Sequence, residues 1–177
     1  MGSLNIQKFS PEKLHFDDDG RIPNSIYPLL LYRKVIEESG DKSADWLENT
    51  FNNHNWTNSW RWGVYDFHHY HSNTHEVLGV YQGTAKLLLG GEQGEIVDVR
   101  TGDVIIIPAG VGHKCLSHSV DFSVVGAYPD GADADMNKGE PGERPQADEK
   151  IRKVPFPSTD PLFGKEKGLL DIWKDFK

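Results

Sequence analysis

With 177 residues, 37% of them hydrophobic and 26% charged, the chain is long enough to bury a core and is expected to form one globular domain. A formal charge of -8 and an isoelectric point near 5.4 exclude nucleic acid as a partner, because phosphate binding needs a basic stripe that is missing here. Cys115 is the single cysteine, so no internal disulfide forms, and a lone thiol suits a reducing cytoplasm. The N-terminus lacks the apolar run of a secretory signal, and Ile6 stands where an acylation motif after Gly2 requires Ser or Thr. No apolar stretch approaches membrane-spanning length, so no membrane partner is expected.

In chain order, residues 1–28 read as an irregular arm. Asp17, Asp18 and Asp19 before Gly20 signal a solvated turn, and Pro23 and Pro28 exclude helix around them. Leu29 to Glu38 is either a short strand or a helical turn, ending at Gly40. Ser43 is expected to cap a helix over Ala44 to Asn53, with Trp46, Leu47 and Phe51 on its apolar side. Residues 1–55 are therefore read as an arm and helical decoration on a barrel.

From Trp56 to Tyr128 the pattern changes to short strands rich in Val, Ile, Leu and aromatics, separated by glycine turns. Trp60 to Trp62 leads into a histidine-bearing strand. Further strands are expected at Glu76–Tyr81, Thr84–Leu89, Ile96–Val99, Val104–Ile107, His113–Leu116 and Phe122–Ala127. This regular spacing indicates an antiparallel sandwich or barrel, all-β with a few peripheral helices. Residues 129–148 are loop chemistry and read as a flexible acidic loop; Asp130, Asp133 and Asp135 are not expected to bind a cation. The remainder to 177 reads as an extended segment along the barrel, then a short helix from Leu169. Its aromatics pack on the barrel or meet a second subunit. All three segments, 1–55, 56–128 and 129–177, are assigned to one domain.

Chemistry concentrates between Gly63 and Gly83. Four of the eight histidines, His68, His69, His71 and His75, fall in this stretch, followed by Glu76. Strand alternation puts His69 and His71 on one face with Tyr65 and Phe67, and His68 and Tyr70 on the other. Two imidazoles side by side and a nearby carboxylate suit a metal; buried polar packing is the plainer alternative. A second cluster runs from Gly102 through Pro108 and Gly110 to His113. There glycines allow a sharp corner that can return His113 beside the first histidines.

Both stretches resemble the paired signatures of the cupin superfamily. G-x5-H-x-H-x4-E-x6-G is met by Gly63, His69, His71, Glu76 and Gly83. G-x5-P-x-G-x2-H-x3-N is met by Gly102, Pro108, Gly110 and His113, with Ser117 at the last position where Asn is usual. The segments W-T-N-S-W-R, D-F-H-H-Y-H-S-N-T-H-E-V-L-G and V-G-A-Y-P-D-G are similar to the bacterial YjlB-type single-domain cupins, a group without an established reaction. The resemblance implies a double-stranded β-helix, or jelly-roll barrel, and one divalent transition metal held by His69, His71, Glu76 and His113. Mn, Fe, Ni, Zn, Co and Cu all suit such ligands. It also implies a small-molecule ligand or substrate and a homodimer. Tyr65, Phe67 and Cys115, by their parity with the ligands, are expected to line the pocket. His75 is expected to point outward, and His68 to hydrogen-bond on the outer face. Arg61, Arg100 and Lys114 read as solvated surface charge. Three functions follow: a metal-dependent oxygenase or lyase/isomerase, a non-catalytic module binding or sensing a sugar or carboxylate, and a metal-free isomerase-like cupin.

Overall fold

Alternation of side chains across two antiparallel sheets organises the molecule, whose computed structural model describes residues 9–177. The N-terminal stretch considered for a signal or acylation motif lies outside those residues. The larger sheet is built from β1 (Glu12–Leu14), β2 (Leu29–Tyr32), β3 (Trp56–Trp62), β4 (Glu76–Gln82), β7 (Val104–Ile107) and β9 (Ser123–Pro129), in the order β1-β2-β7-β4-β9-β3. The smaller contains β5 (Thr84–Leu89), β6 (Glu95–Arg100) and β8 (His113–His118), ordered β6-β5-β8. Two sheets with these antiparallel crossovers form the jelly roll expected from the strand pattern.

Period two decides which residues enter which core. Leu29, Leu31, Leu78, Val80, Ile105, Ile107 and Val124 face the smaller sheet, where Ala85, Leu87, Leu89, Val97, Val99 and Cys115 meet them. The intervening Leu30, Tyr32, Val77, Val104, Ile106, Val125 and Ala127 face the opposite way. That outer layer is covered by α1 (Asp41–Asn53), through Ala44, Leu47 and Phe51, and by the C-terminal segment, through Leu162, Phe163, Leu169 and Trp173. Gly79 on β4 leaves room for α1, since a Cβ at that position would stand only 2.8 Å from a Leu47 methyl. The tail's aromatics thus pack on the protein's own sheet: Trp173 is fully buried and its indole N–H donates to the Pro28 carbonyl at 2.9 Å.

Four expectations need correction. Of the two readings of Leu29–Glu38 the strand holds, over Leu29–Tyr32 paired with β7, while the arm before it, read as irregular, contributes β1 despite its charged sequence. Ser43 lies inside α1 rather than capping it, and its hydroxyl donates to the Glu38 carbonyl. The histidine stretch is not a strand; between β3 and β4 its pairing is limited to isolated bridges, His69 with His113 and Tyr70 with Asn137. The acidic loop is held in place and leads into α2 (Gln146–Lys153), a helix hidden in the sequence by the preceding Pro141 and Pro145. Among the described residues, no helix is long and apolar enough to cross a membrane.

Candidate metal centre

Register brings the four candidate residues to one end of the space between the sheets. Glu76 opens β4 with the same parity as Leu78 and Val80, so its carboxylate points inward; His75, one residue earlier, points to the outer layer. His113 opens β8 with the parity of Cys115. His69 is joined to it by a reciprocal pair of backbone hydrogen bonds, at 3.2 and 2.9 Å. His71 is fixed by its neighbours in the chain and by the corner after β7. There Gly110 adopts φ +93°, and a Cβ would stand 2.4 Å from the Asn24 carbonyl oxygen, so only glycine fits. The Gly110 N–H donates to the His71 carbonyl at 2.8 Å, and the Ala109 N–H donates to His75 Nδ1 at 2.8 Å. Two hydrogen bonds therefore lock the second signature onto the first. Gly63, in contrast, has open space around it and no positive φ, so the first glycine of the signature is not required by local geometry.

One nitrogen from each of His69, His71 and His113 lies within 4.8 Å of the others, and all three residues are buried. Glu76 Oε1 is 3.5 Å from His71 Nε2 and 3.3 Å from His113 Nε2. Every ring has its Nδ1 tied to a backbone carbonyl: His69 to Phe67 at 3.1 Å, His113 to Val111 at 3.1 Å, and His71 to Asp135 at 2.5 Å. A carbonyl only accepts, so each Nδ1 carries a proton, and Nε2 holds the lone pair whenever the ring is neutral. The lone pair of His113 then faces a carboxylate oxygen, acceptor against acceptor, and that buried nitrogen has no hydrogen-bond partner among the described residues. A cation between such groups resolves the conflict, so the donor set fits a metal.

Charges respond in the same sense. Burial and the adjoining His113 push His69 down to about 2, so it is neutral. Burial opposes charge on His71 also, but the Glu76 carboxylate and the Asp135 carbonyl outweigh it and raise its pKa. Glu76 is held below the ordinary carboxylate range because its attraction to His71 overcomes its burial.

The four candidate residues lie in a cavity of about 280 Å³, walled by Trp60, Trp62, Gly63, Val64, Tyr65, Leu78, Tyr128, Ala134 and Met136. Of the residues expected to line it, Tyr65 does so. Phe67 instead flanks it, stacked on Tyr65 with centroids 4.8 Å apart, because residues 63–68 do not follow strand alternation. Cys115 also falls outside: it lies two residues further along β8, in the inner core, with its N–H donating to the Tyr65 carbonyl at 2.9 Å. Burial raises its pKa, which keeps the thiol protonated. His75 lies against Tyr27 and Trp173 on the outer layer, pushed down to about 3 by burial. His68 meets Glu92 at 2.6 Å. Arg61 pairs with Asp45 and Glu48 of α1 rather than entering the cavity. A larger groove of about 680 Å³, between Arg33, Lys86 and His118, contains none of the converging imidazoles.

Two contributors were not among the expected site residues. Asp135, in the loop read as flexible, anchors His71 through its carbonyl and holds the Ser72 N–H through its carboxylate. Tyr128 stands one step beyond the Val77–Ala127 pair, opposite Glu76, and extending the parity of β9 finds it. Its hydroxyl accepts from the Trp60 indole N–H at 2.9 Å, and that indole lies against Gly126, where a Cβ would clash at 2.2 Å. Burial and the Glu76 charge raise the Tyr128 pKa, so the phenol keeps its proton.

A jelly roll with these two signatures converging at one end of its barrel is a cupin, and the chain belongs to the cupin family, its residues 63–125 matching the cupin domain. It is 46% identical over 159 residues to the uncharacterized protein YjlB of Bacillus subtilis (strain 168), across 89% of this chain and 93% of that one. Among solved structures it is similar to an acireductone dioxygenase from Bacillus anthracis with a cadmium ion in the active centre. That similarity is 15% identity over 51% of this chain and 61% of the other, with TM-score 0.37. It is also similar to the pumpkin seed globulin, at 26% identity and TM-score 0.36, over 45% of this chain but 22% of the globulin's length.

Proposed function

We propose that this cupin is a metal-dependent enzyme acting on a small molecule, with one divalent transition metal held by His69, His71, Glu76 and His113. The observation that carries the reading is the set of three buried imidazoles whose Nδ1 protons are committed to carbonyls and whose other nitrogens are left to converge, those of His71 and His113 beside the Glu76 carboxylate. Four protein ligands leave positions open on a metal that prefers six, which is the property of a catalytic rather than a closed structural site. When bound, the ion supplies Lewis acidity, or electron transfer if it is redox-active, and this supports an oxygenase or lyase/isomerase reaction. The chain's own residues bind and orient. Trp60 occupies the Tyr128 oxygen as a donor, so the Tyr128 proton is directed toward Glu76. Glu76 retains its charge at neutral pH.

Elemental analysis of the full chain purified without an affinity tag tests the reading. One divalent metal per chain is expected, and His69→Ala and Glu76→Ala should each remove it while circular dichroism still reports the folded barrel. Unaltered metal content in both variants would refute the ligand assignment. Dioxygen consumption by the loaded protein distinguishes oxygenase chemistry from Lewis-acid chemistry.

A further inference from the structure

The wall and mouth of the cavity specify more about its ligand than the metal does. Trp60, Trp62, Tyr65, Tyr128 and Met136 line it, and three of these, Trp62, Tyr65 and Met136, are among the large hydrophobic side chains exposed to solvent. Trp62 is 58% exposed, and its ring lies edge-on to Tyr65 with centroids 5.0 Å apart. Such a cluster of exposed aromatics at one opening is where a soluble protein receives an apolar partner or ligand. No Lys or Arg is among the described residues lining the cavity, and Glu76 is its one carboxylate. Two cations close in sequence to wall residues are engaged elsewhere: Lys138 lies over the Phe67 ring at 4.8 Å, and Arg61 is paired with Asp45 and Glu48. The overall charge of -8 adds to the repulsion of polyanions.

Charge counting completes the argument. A dication with three neutral imidazoles and Glu76 carries about +1, which one monoanionic head neutralises without leaving net charge buried. A second negative group would find no counter-charge in the cavity. We infer that the ligand is a small molecule with one monoanionic, oxygen-chelating head and an uncharged aromatic or apolar body, an inference that rests on the metal reading above. Phosphorylated sugars, nucleotides and polycarboxylates are thereby disfavoured. The cavity volume of about 280 Å³, near the lower end of the ~300–1,000 Å³ typical of ligand pockets, limits the body to about one ring. The head meets the ligand cluster and the body lies between Trp60, Trp62 and Tyr65.

Three hydroxamates test this, because they share one chelating head and differ in their tails: acetohydroxamate (methyl), benzohydroxamate (phenyl) and succinohydroxamate (carboxylate). The full chain is stripped with a chelator and loaded with cobalt(II), and its visible absorption and metal content are recorded before and after each titration. Binding is read from that absorption and from quenching of tryptophan fluorescence. Benzohydroxamate is expected to bind at least about tenfold more tightly than acetohydroxamate, from burial of the ring. Succinohydroxamate is expected to bind no better than acetohydroxamate. Trp62→Ala, at an exposed position, should load cobalt normally and reduce the phenyl preference. Equal affinities, tightest binding of the carboxylate-tailed probe, or a phenyl preference untouched by Trp62→Ala would each overturn the inference while leaving the metal reading intact. Failure to load cobalt would overturn both.

Discussion

At the scale of single residues, the site's behaviour turns on where each imidazole keeps its proton. His71 Nδ1 is committed to the Asp135 carbonyl, so the proton that its raised pKa favours in the metal-free protein sits on Nε2, facing Glu76. A metal needs that same nitrogen, and binding must release the proton. His69, pushed down to about 2, has none to lose. The sign follows directly. His71 titrates above its ordinary value near 6.5, so metal affinity should rise with pH until its raised pKa is passed, by as much as tenfold per unit while His71 is protonated. In the metal-free protein the same group acts oppositely: its stabilisation is complete below the unfolded pKa and is lost as pH rises through the folded one. Cobalt titrations at several pH values, with protons released measured in weak buffer, check this. Affinity independent of pH and no proton release would contradict it. The four candidate ligands were legible in the sequence because a metal dictates residue type and spacing. Their Nδ1 acceptors were not, because Phe67, Val111 and Asp135 act through backbone carbonyls, which any residue carries.

At the scale of elements, the corner between β7 and β8 sets the site's geometry. Glycine-punctuated runs of Val, Ile and Leu made most of the barrel strands readable, since period two and turn residues are local properties. The stretch carrying His69 and His71 reads as a strand because its alternation is strand-like, while its hydrogen bonds go to a corner and a loop distant in sequence. Gly110 is central to that arrangement, donating to the His71 carbonyl while its own carbonyl accepts from Asn24 N–H at 2.9 Å. Gly110→Ala would place a methyl 2.4 Å from the Asn24 carbonyl oxygen at φ +93°. Positive φ and overpacking together are expected to cost about 2–4 kcal/mol of stability. Metal affinity should fall by about tenfold or more, because the corner aims both His71 and His113. Denaturant unfolding gives the first quantity and cobalt titration the second. Full retention of metal affinity in a destabilised Gly110→Ala protein would mean that the ligands are positioned independently of the corner.

At the scale of the molecule, the site spans the seam between the two sheets. Glu76 belongs to a central strand of the larger sheet, whereas His113 and the bridged His69 belong to the smaller one. The sheets otherwise meet through apolar side chains such as Leu31, Leu78, Leu87 and Val99, which do not close the end where the histidines converge. An ion held there ties the sheets together in the folded state and loses its site on unfolding, so binding free energy becomes stability. At a free concentration about one hundred times its dissociation constant, a metal should add ~2.7 kcal/mol, equivalent to a rise of roughly 5–10 °C in Tm for a domain of this size. Glu76→Gln keeps the shape but loses the charge and one strong donor, so it should show a much smaller rise. Calorimetry of chelator-treated protein with and without added cobalt or zinc measures both. The same shift in wild type and Glu76→Gln would locate the stabilising metal away from the seam. Agreement between the calorimetric shift and the dissociation constant from titration would mean that one ion, at this site, accounts for the coupling of the two sheets.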